Sequence, residues 1–413
     1  MIKDNYLDVS KLIKNKKVLK LFKIVEQNGG VLRFVGGAVR DALKGIEAGD
    51  LDLATDLSPD ELVEACEENG IKTVPIGIKF GTVGVVLDDT VVEVTSLRRD
   101  VKTDGRHAEV EFTDNWEEDA SRRDLTINAV YADEKGNVFD YYNGIGDLEA
   151  GVVRFIGKAS QRIKEDYLRI LRFFRFYSLF GKGEIDKKAL QACVENRDGL
   201  AELSMERIRD EIFKILLTPN VVKTLQIMID NNVMDYIMPA PHHMDKLAFL
   251  SNLVEEENIP HRALRRLFII YQPDVALAEN LALRLRLSKK EKQLFVDLAT
   301  HDICLDDFTD DKKLAQLIYR RGKDFCREKF LLLLSEKQKK IPEFTDIINK
   351  IETFDFAEFP VKGRDIMEQG IDDQRNISSI LKELETAWIE SNFTLTKEQI
   401  LALRHDFNKA ACE

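Results

Sequence analysis

The chain has 413 residues, too many for one compact core, so two to four domains are expected. With 44% hydrophobic and 32% charged residues it reads as globular rather than disordered, and no apolar run reaches the roughly 18 residues needed to cross a bilayer. A net charge of −12 argues against nonspecific binding of nucleic acid, although such an average can hide a basic stripe.

The N-terminal stretch "MIKDNYLDVSKLIKNKKVLKLF" lacks a continuous apolar segment and a cleavage site, and its acids argue against a transit peptide, so a cytoplasmic location is expected. Cys66, Cys193, Cys304, Cys326 and Cys412 are scattered without C-x-x-C spacing, which predicts reduced, buried thiols rather than disulfides or a zinc site.

Up to about residue 155, β-branched runs such as "KTVPIGIKFGTVGVVL" and "TVVEVTSL" alternate with turn residues and helical patterns, predicting a small mixed sheet with helices packed on it. In "RFVGGAVRDALKG", Phe34 and Val35 end a strand and run into Gly36-Gly37 at the start of a helix. Backbone N–H groups at such a corner can approach a phosphate closely, although a tight turn alone would use the same pair. In "GDLDLATD", Asp50 and Asp52 alternate with Leu51 and Leu53, so a strand would put both carboxylates on one face. Like charges side by side repel unless a cation lies between them, and oxygen ligands of this kind suit Mg²⁺. Glu93, alternating with valines on a neighbouring strand, is either a third acid of a two-metal site or an outward-facing strand residue. Asp56 reads as a turn or cap residue, and Asp124 could cap a helix beginning at "LTINAV".

Beyond residue 155 strand signals almost vanish. Helical spacing runs through "SMERIRDEIFKILL", "VVKTLQIMIDNNVMDYIM" and "NLALRLRLSKKEKQLFVDLA". Breaks fall at Pro219-Asn220, at Pro239-Ala-Pro241 and before Pro260. The segment "IKEDYLRILRFFRFYSLFG" reads as a helix dense in Arg and Phe, in which Glu165, Asp166 and Arg169 have the spacing of ordinary surface ion pairs. Basic clusters at Arg262, Arg265 and Arg266, at Arg284 to Lys292 and at Arg320 to Lys329 could each be a solvated helix face. His301-Asp302 in "ATHDICLDD" lacks a spaced His partner and reads as a chance dipeptide. The histidines are scattered, and no Ser-His-Asp or Cys-His set is evident.

Taken in order, "GGAVRD", "DLDLATD", "EVTSLRRD" with "DGRHAEVEF", "EDASRRDLTINAVYAD", "DYYNGIGDLEAGVVRFIG" and "EDYLRILRFFRFYSLFG" resemble the class II tRNA nucleotidyltransferases, or CCA-adding enzymes, and the related bacterial poly(A) polymerases. The resemblance spans about residues 30 to 217 and includes "LSMERIRDEIFKILL". It implies an α+β protein: an N-terminal DNA-polymerase-beta-like nucleotidyltransferase head over 1–152, followed by an all-α neck (153–222, nucleotide-selecting), body (223–335) and tail (336–413), the last two holding tRNA.

The implied activity is template-independent addition of CCA to tRNA from CTP and ATP by two-metal nucleotidyl transfer, with Mg²⁺ as cofactor. The implied partners are the tRNA acceptor stem and 3′ end, with no membrane and no protein partner. By this resemblance Asp50 and Asp52 are the catalytic metal ligands, and Gly36, Gly37 and Arg40 handle the triphosphate; Glu93 stays the candidate third catalytic acid on its strand position alone. Arg123, Asp124 and Asn128 contact ribose and nucleotide. Asp166 and Arg169 read the incoming base, with Glu165 holding Arg169 and with Arg172 and Arg175 continuing beneath. A carboxylate accepts from the exocyclic amine of cytosine or adenine and a guanidinium donates to the neighbouring ring acceptor. The polar connection "RRDVKTDGRHAEVEFTDNWEEDA" resembles the flexible loop of full CCA-adding enzymes. "PIGIKFGTVGVVL" and a nearly neutral C-terminal "HDFNKAACE" also favour CCA addition over the alternatives, an A-adding enzyme or a bacterial poly(A) polymerase.

Overall fold

A computed structural model describes residues 6–13, 16–47, 49, 51–88, 90–104, 107–300, 302–368 and 374–410. Asp50, His301 and Cys412 lie outside the described residues. The chain divides into two compact units, 1–240 and 241–413, so the Pro239-Ala-Pro241 break coincides with the boundary between them.

The first unit is built on a mixed sheet of β1 (Leu32–Val35), β2 (Asp52–Thr55), β3 (Thr73–Gly77), β4 (Thr82–Leu87), β5 (Thr90–Ser96), β8 (Val130–Ala132) and β9 (Val138–Asp140), in the order β3-β4-β5-β2-β1-β8-β9. Only β2 and β5 run parallel; the other neighbours are antiparallel. Alternation along each strand sends Leu32, Phe34, Leu53, Val92 and Val94 to one face, where they pack with residues of α1 (Lys16–Gln27), α2 (Gly37–Leu43) and α3 (Pro59–Glu68). The opposite face carries Val35, Ala54 and Tyr131 and is covered by α4 (Trp116–Ser121), whose Trp116 meets Tyr131 edge-on at 5.3 Å.

The polar connection from Arg98 carries two strands of its own. Strands β6 (Arg98–Asp104) and β7 (His107–Phe112) pair as a separate antiparallel hairpin, because alternating β-formers on both arms can satisfy their backbone groups against each other. Helices α5 (Gly144–Ala150), α6 (Ala159–Glu165), α7 (Leu168–Phe180), α8 (Lys187–Glu195), α9 (Met205–Leu216) and α10 (Val221–Asp230) complete the first unit. The Arg- and Phe-rich segment is therefore two helices rather than one.

The second unit is helical: α11 (Met244–Glu256), α12 (Ala263–Tyr271), α13 (Val275–Arg284), α14 (Lys289–Leu298), α15 (Asp306–Thr309), α16 (Asp311–Lys337), α17 (Phe344–Thr353), α18 (Gly363–Met367), α19 (Gln374–Glu390) and α20 (Lys397–Ala410). Gly322, at φ +81°, interrupts the helical backbone of α16. Two of the three arginines in the cluster at α12 do not form a solvated face. Arg265 and Arg266 are both buried, Arg265 pairing through Nε and Nη2 with the buried Glu328 of α16 and donating to the Pro260 carbonyl. The spacing looked like a surface pattern because an acid far along the chain supplies the counter-charge. Among the cysteines, Cys66, Cys193 and Cys326 are buried free thiols as expected, whereas Cys304 is exposed. No helix among the described residues is long and apolar enough to cross a membrane.

Candidate active site

Strand β2 opens at Asp52, and its parallel neighbour β5 sets Glu93 directly opposite in register. Residues paired across a parallel ladder project to the same side, so the two carboxylates share the α4-covered face rather than the Leu53 face. Asp52 is half-buried and Glu93 exposed. Among the described residues no cluster of three His, Cys, Asp or Glu side chains gathers to hold a metal ion. The paired carboxylates nevertheless supply the hard oxygen donors that a divalent cation takes.

At the end of β1, Gly36 adopts φ +65° and ψ −122°, a conformation that L side chains rarely reach, and donates its N–H to the Val130 carbonyl at 3.2 Å. A β-carbon at Gly36 would lie 3.6 Å from Arg123 Nη1. The turn aims α2 so that Arg40 is buried beneath the corner. Its Nη1 donates to Asn128 Oδ1 at 2.6 Å, its Nε to Asp41 at 2.9 Å, and its guanidinium lies 4.9 and 4.8 Å from the Phe176 and Phe180 rings.

Asn128 in turn donates to Asp124 Oδ1 at 3.1 Å, and Arg172 donates to Asp124 Oδ2 at 2.6 Å. Burial opposes ionisation of Asp124, but Arg172 and Asn128 outweigh it and hold the carboxyl at about 2. Asp124 is not a helix cap: "LTINAV" forms one 3-10 turn, Thr126–Asn128, and then enters β8, because the buried side chains of this segment join the sheet core. A chain of polar contacts, Arg40–Asn128–Asp124–Arg172, thus ties α2 to α7.

The helix predicted through Glu165 and Arg169 breaks at Asp166, which has φ −158° and ψ 108°. Its Oδ1 accepts the Leu168 N–H at 3.1 Å, so an Asp side chain takes over a backbone donor and starts α7 afresh. Tyr167 lies between, its ring against Gly199, where a β-carbon would come within 2.1 Å of it. Across the break Arg169 Nη1 still reaches Glu165 Oε2 at 2.5 Å and the Arg162 carbonyl at 2.7 Å, and Glu165 also pairs with Arg162. Asp166 does not join that set. Its Oδ2 accepts from Arg207 Nη2 of α9 at 2.8 Å. Further along α7, Arg175 Nε lies 3.2 Å from Glu211 of α9 as an ion pair without hydrogen-bond geometry.

Gly36, Gly37, Arg40, Asp52, Asp124, Asn128, Asp166, Arg169, Arg172 and Arg175 all line one cleft of about 550 Å³ together with Arg122, Arg123 and Arg207. Glu93 and Glu165 are not among its walls; Glu165 borders a neighbouring hollow with Ser160, Gln161 and Lys164. Arg122 and Arg207 were not singled out in the sequence. The doubled Arg of "RRD" was a usable signal for the first, but the pairing of Arg207 with Asp166 spans 41 positions and leaves no local trace. Seven arginines against three aspartates give the cleft a net positive charge, suited to a polyanion, despite the acidic chain.

A sheet-borne pair of acids beside an arginine cleft suits the handling of a phosphorylated substrate, and the family comparisons give the class as nucleotidyltransferase. Residues 32–154 match the family described as "Poly A polymerase head domain", and residues 184–244 match "Probable RNA and SrmB- binding site of polymerase A". The mitochondrial CCA tRNA nucleotidyltransferase 1 of Mus musculus is 38% identical over 381 residues, covering 90% of this chain and 86% of that protein. The CCA-adding enzyme of Ligilactobacillus salivarius is 29% identical over 399 residues, covering 94% and 95%. In fold, the chain is similar to the Bacillus stearothermophilus CCA-adding enzyme crystallised in complex with CTP, with a TM-score of 0.78, 24% identity and coverage of 96% and 98%. This chain belongs to the CCA tRNA nucleotidyltransferase family. Nucleotidyltransferases of this family use a divalent metal.

Proposed function

We propose that this protein completes tRNA 3′ ends, adding CMP from CTP and AMP from ATP to build the terminal CCA without a nucleic-acid template and releasing pyrophosphate. The observation that carries the reading is the meeting, in one cleft, of Asp52, the Gly36-Gly37 corner, an arginine cluster that includes Arg169, and Asp166. Asp52 and Glu93, with Asp50 two positions earlier in the sequence, are the residues that would hold Mg²⁺. When bound, Mg²⁺ supplies positive charge at the attacking 3′-oxygen and at the leaving phosphate oxygens.

The rest of the work falls to this chain's own groups. Arg123 and the backbone at Gly36-Gly37 bind the triphosphate, while Arg40, occupied by Asn128 and Asp41, adds positive charge and holds Asn128 in place. Asn128 and Asp124 orient the ribose. Asp166 accepts from the exocyclic amine of cytosine or adenine, since a carboxylate bound to Arg207 and the Leu168 N–H keeps spare lone pairs. Uracil and guanine present a carbonyl there and are repelled. Arg169, held by Glu165, donates to the adjacent ring acceptor. Arg172 and Arg175 keep the base of the cleft positive.

Head (1–152), neck (153–222), body (223–335) and tail (336–413) divide the labour in this reading, the body and tail gripping tRNA. A cytoplasmic setting is part of the same reading and suits the free thiols.

The test is to sequence the 3′ ends formed from a tRNA transcript lacking CCA, given CTP, ATP and Mg²⁺. Addition of CCA is expected; A alone would mean an A-adding enzyme, and addition of neither would refute the reading. Asp52→Ala is expected to abolish addition with tRNA binding retained, measured by turnover and by filter binding; lost tRNA binding would mean that Asp52 serves the fold.

A further inference from the structure

Asp119, on α4, has no part in the reading above, yet it is the most heavily bonded carboxylate near the cleft. It is 1% exposed. Oδ1 accepts from Arg122 Nε and Nη2 at 2.9 and 2.6 Å, and from the Arg98 backbone N–H at 3.4 Å. Oδ2 accepts from Arg123 Nε and Nη2 at 3.3 and 3.0 Å, and from the Tyr131 hydroxyl at 2.7 Å. One carboxylate thus takes the Nε/Nη2 edge of two consecutive arginines, each oxygen serving one of them.

The orientation has a consequence for the cleft. Holding the Nε/Nη2 edge leaves the other edge of Arg123 turned to the glycine corner, where Nη1 lies 3.6 Å from the position of a Gly36 β-carbon. Both arginines line the cleft, and they are consecutive residues just past the end of α4, a place where long side chains have many rotamers to choose from. Two guanidiniums so close together also repel each other unless an anion lies between them. Asp119 supplies that anion from behind, away from any ligand. Burial opposes its ionisation, but Arg123, Arg122 and Tyr131 together hold it charged.

We infer that Asp119 is a positioning residue for nucleotide binding, clamping Arg122 and Arg123 so that their open edges meet the phosphates of any incoming nucleotide. The inference rests on the proposal that this cleft receives the triphosphate. Because phosphates are common to CTP and ATP, Asp119 governs affinity for both alike and leaves base selection to Asp166 and Arg169.

The experiment is steady-state kinetics of Asp119→Asn on a tRNA substrate, with inhibition by inorganic pyrophosphate as a second readout. A folded variant should show KM for CTP and for ATP raised together about ten-fold, as expected for losing charge-assisted hydrogen bonds, with kcat changed less than about three-fold and selectivity against UTP and GTP intact. Pyrophosphate should inhibit it correspondingly less well than wild type. Unchanged KM values, or a fall in kcat alone, would overturn the inference. Combined with Arg123→Lys, Asp119→Asn should raise KM little beyond Arg123→Lys alone; full multiplication of the two effects would show that Asp119 does not act through Arg123. If Asp119→Asn fails to fold, Tyr131→Phe, which keeps the charge and removes one donor to Oδ2, should raise both KM values about two- to three-fold, and no change would count against the clamp. Failure of wild-type protein to bind pyrophosphate or CTP would instead overturn the triphosphate reading of the cleft, and the clamp with it.

Discussion

Asp119 and Asp124 are buried carboxylates that remain charged because arginines reach them, and both are held at about 2 against an ordinary 3.8. A depressed carboxyl contributes stability that is fully present above its unfolded pKa and lost as pH falls through the folded one. Each contributes on the order of 2 kcal/mol, lost between about pH 4 and pH 2. Urea denaturation should therefore show that the stability advantage of wild type over Asp119→Asn is constant above pH 5 and shrinks steadily below pH 4. A constant difference down to pH 2 would mean that the charge of Asp119 is not what stabilises. At the same scale, Asp166→Ala removes the acceptor proposed to discriminate amines from carbonyls. Misincorporation of UMP and GMP relative to CMP and AMP should rise by about ten-fold or more, measured with each labelled nucleotide separately; unchanged selectivity would refute the base-reading role.

The break between α6 and α7 is the element on which the proposed base selection depends. A continuous helix would carry Asp166 along the helix surface, whereas the extended backbone at Asp166 turns its carboxylate to Arg207 and the Leu168 N–H. The ring of Tyr167 is seated on Gly199, the second residue that shapes this turn. Gly199→Ala would push a methyl group to 2.1 Å from that ring, so the ring must move. Overpacking of this kind costs about 1–3 kcal/mol. The expected result is a lowered thermal midpoint together with weaker discrimination among nucleotides, because Asp166 and Arg169 flank the displaced residue. Loss of stability with selectivity intact would separate the turn from the reading of the base.

At the scale of the whole molecule, charge is used in two ways. In the first unit arginines line an open cleft; in the second, Arg265 and Glu328 are sealed into the interior, where burial and Arg265 also bring the neighbouring Arg266 down to about 10. Removing one partner of such a pair strands a charge out of water and costs about 3–5 kcal/mol. Glu328→Ala should lower the unfolding midpoint of the second unit by calorimetry while CTP still protects the first unit from proteolysis. Loss of CTP protection would mean that the two units do not unfold separately.

Much of this molecule could be read along the chain. Period-two alternation around Asp52 and Glu93, the Gly-Gly corner and the helical periodicity after residue 155 are local patterns, set by the geometry of one strand or one helix, and they predicted the sheet, the acids and the helical remainder. Local spacing also indicated the Glu165–Arg169 contact. What the sequence did not contain was the identity of partners brought together by packing. Arg207 reaches Asp166 from α9, Arg172 reaches Asp124 across 48 positions, and Glu328 neutralises Arg265 across 63. The helix break at Asp166 is the same kind of fact: an Asp favours caps and turns but also occurs within helices, and here the packing of Tyr167 on Gly199 and the ion pair with Arg207 accompany the break. Sequence alone determined which side chains are on offer for the proposed chemistry, because alternation along a strand and spacing along a helix set which of them share a face. Only the tertiary structure decided which of them face each other, because hydrogen bonds and charges act over a few ångströms of space regardless of how much chain lies between.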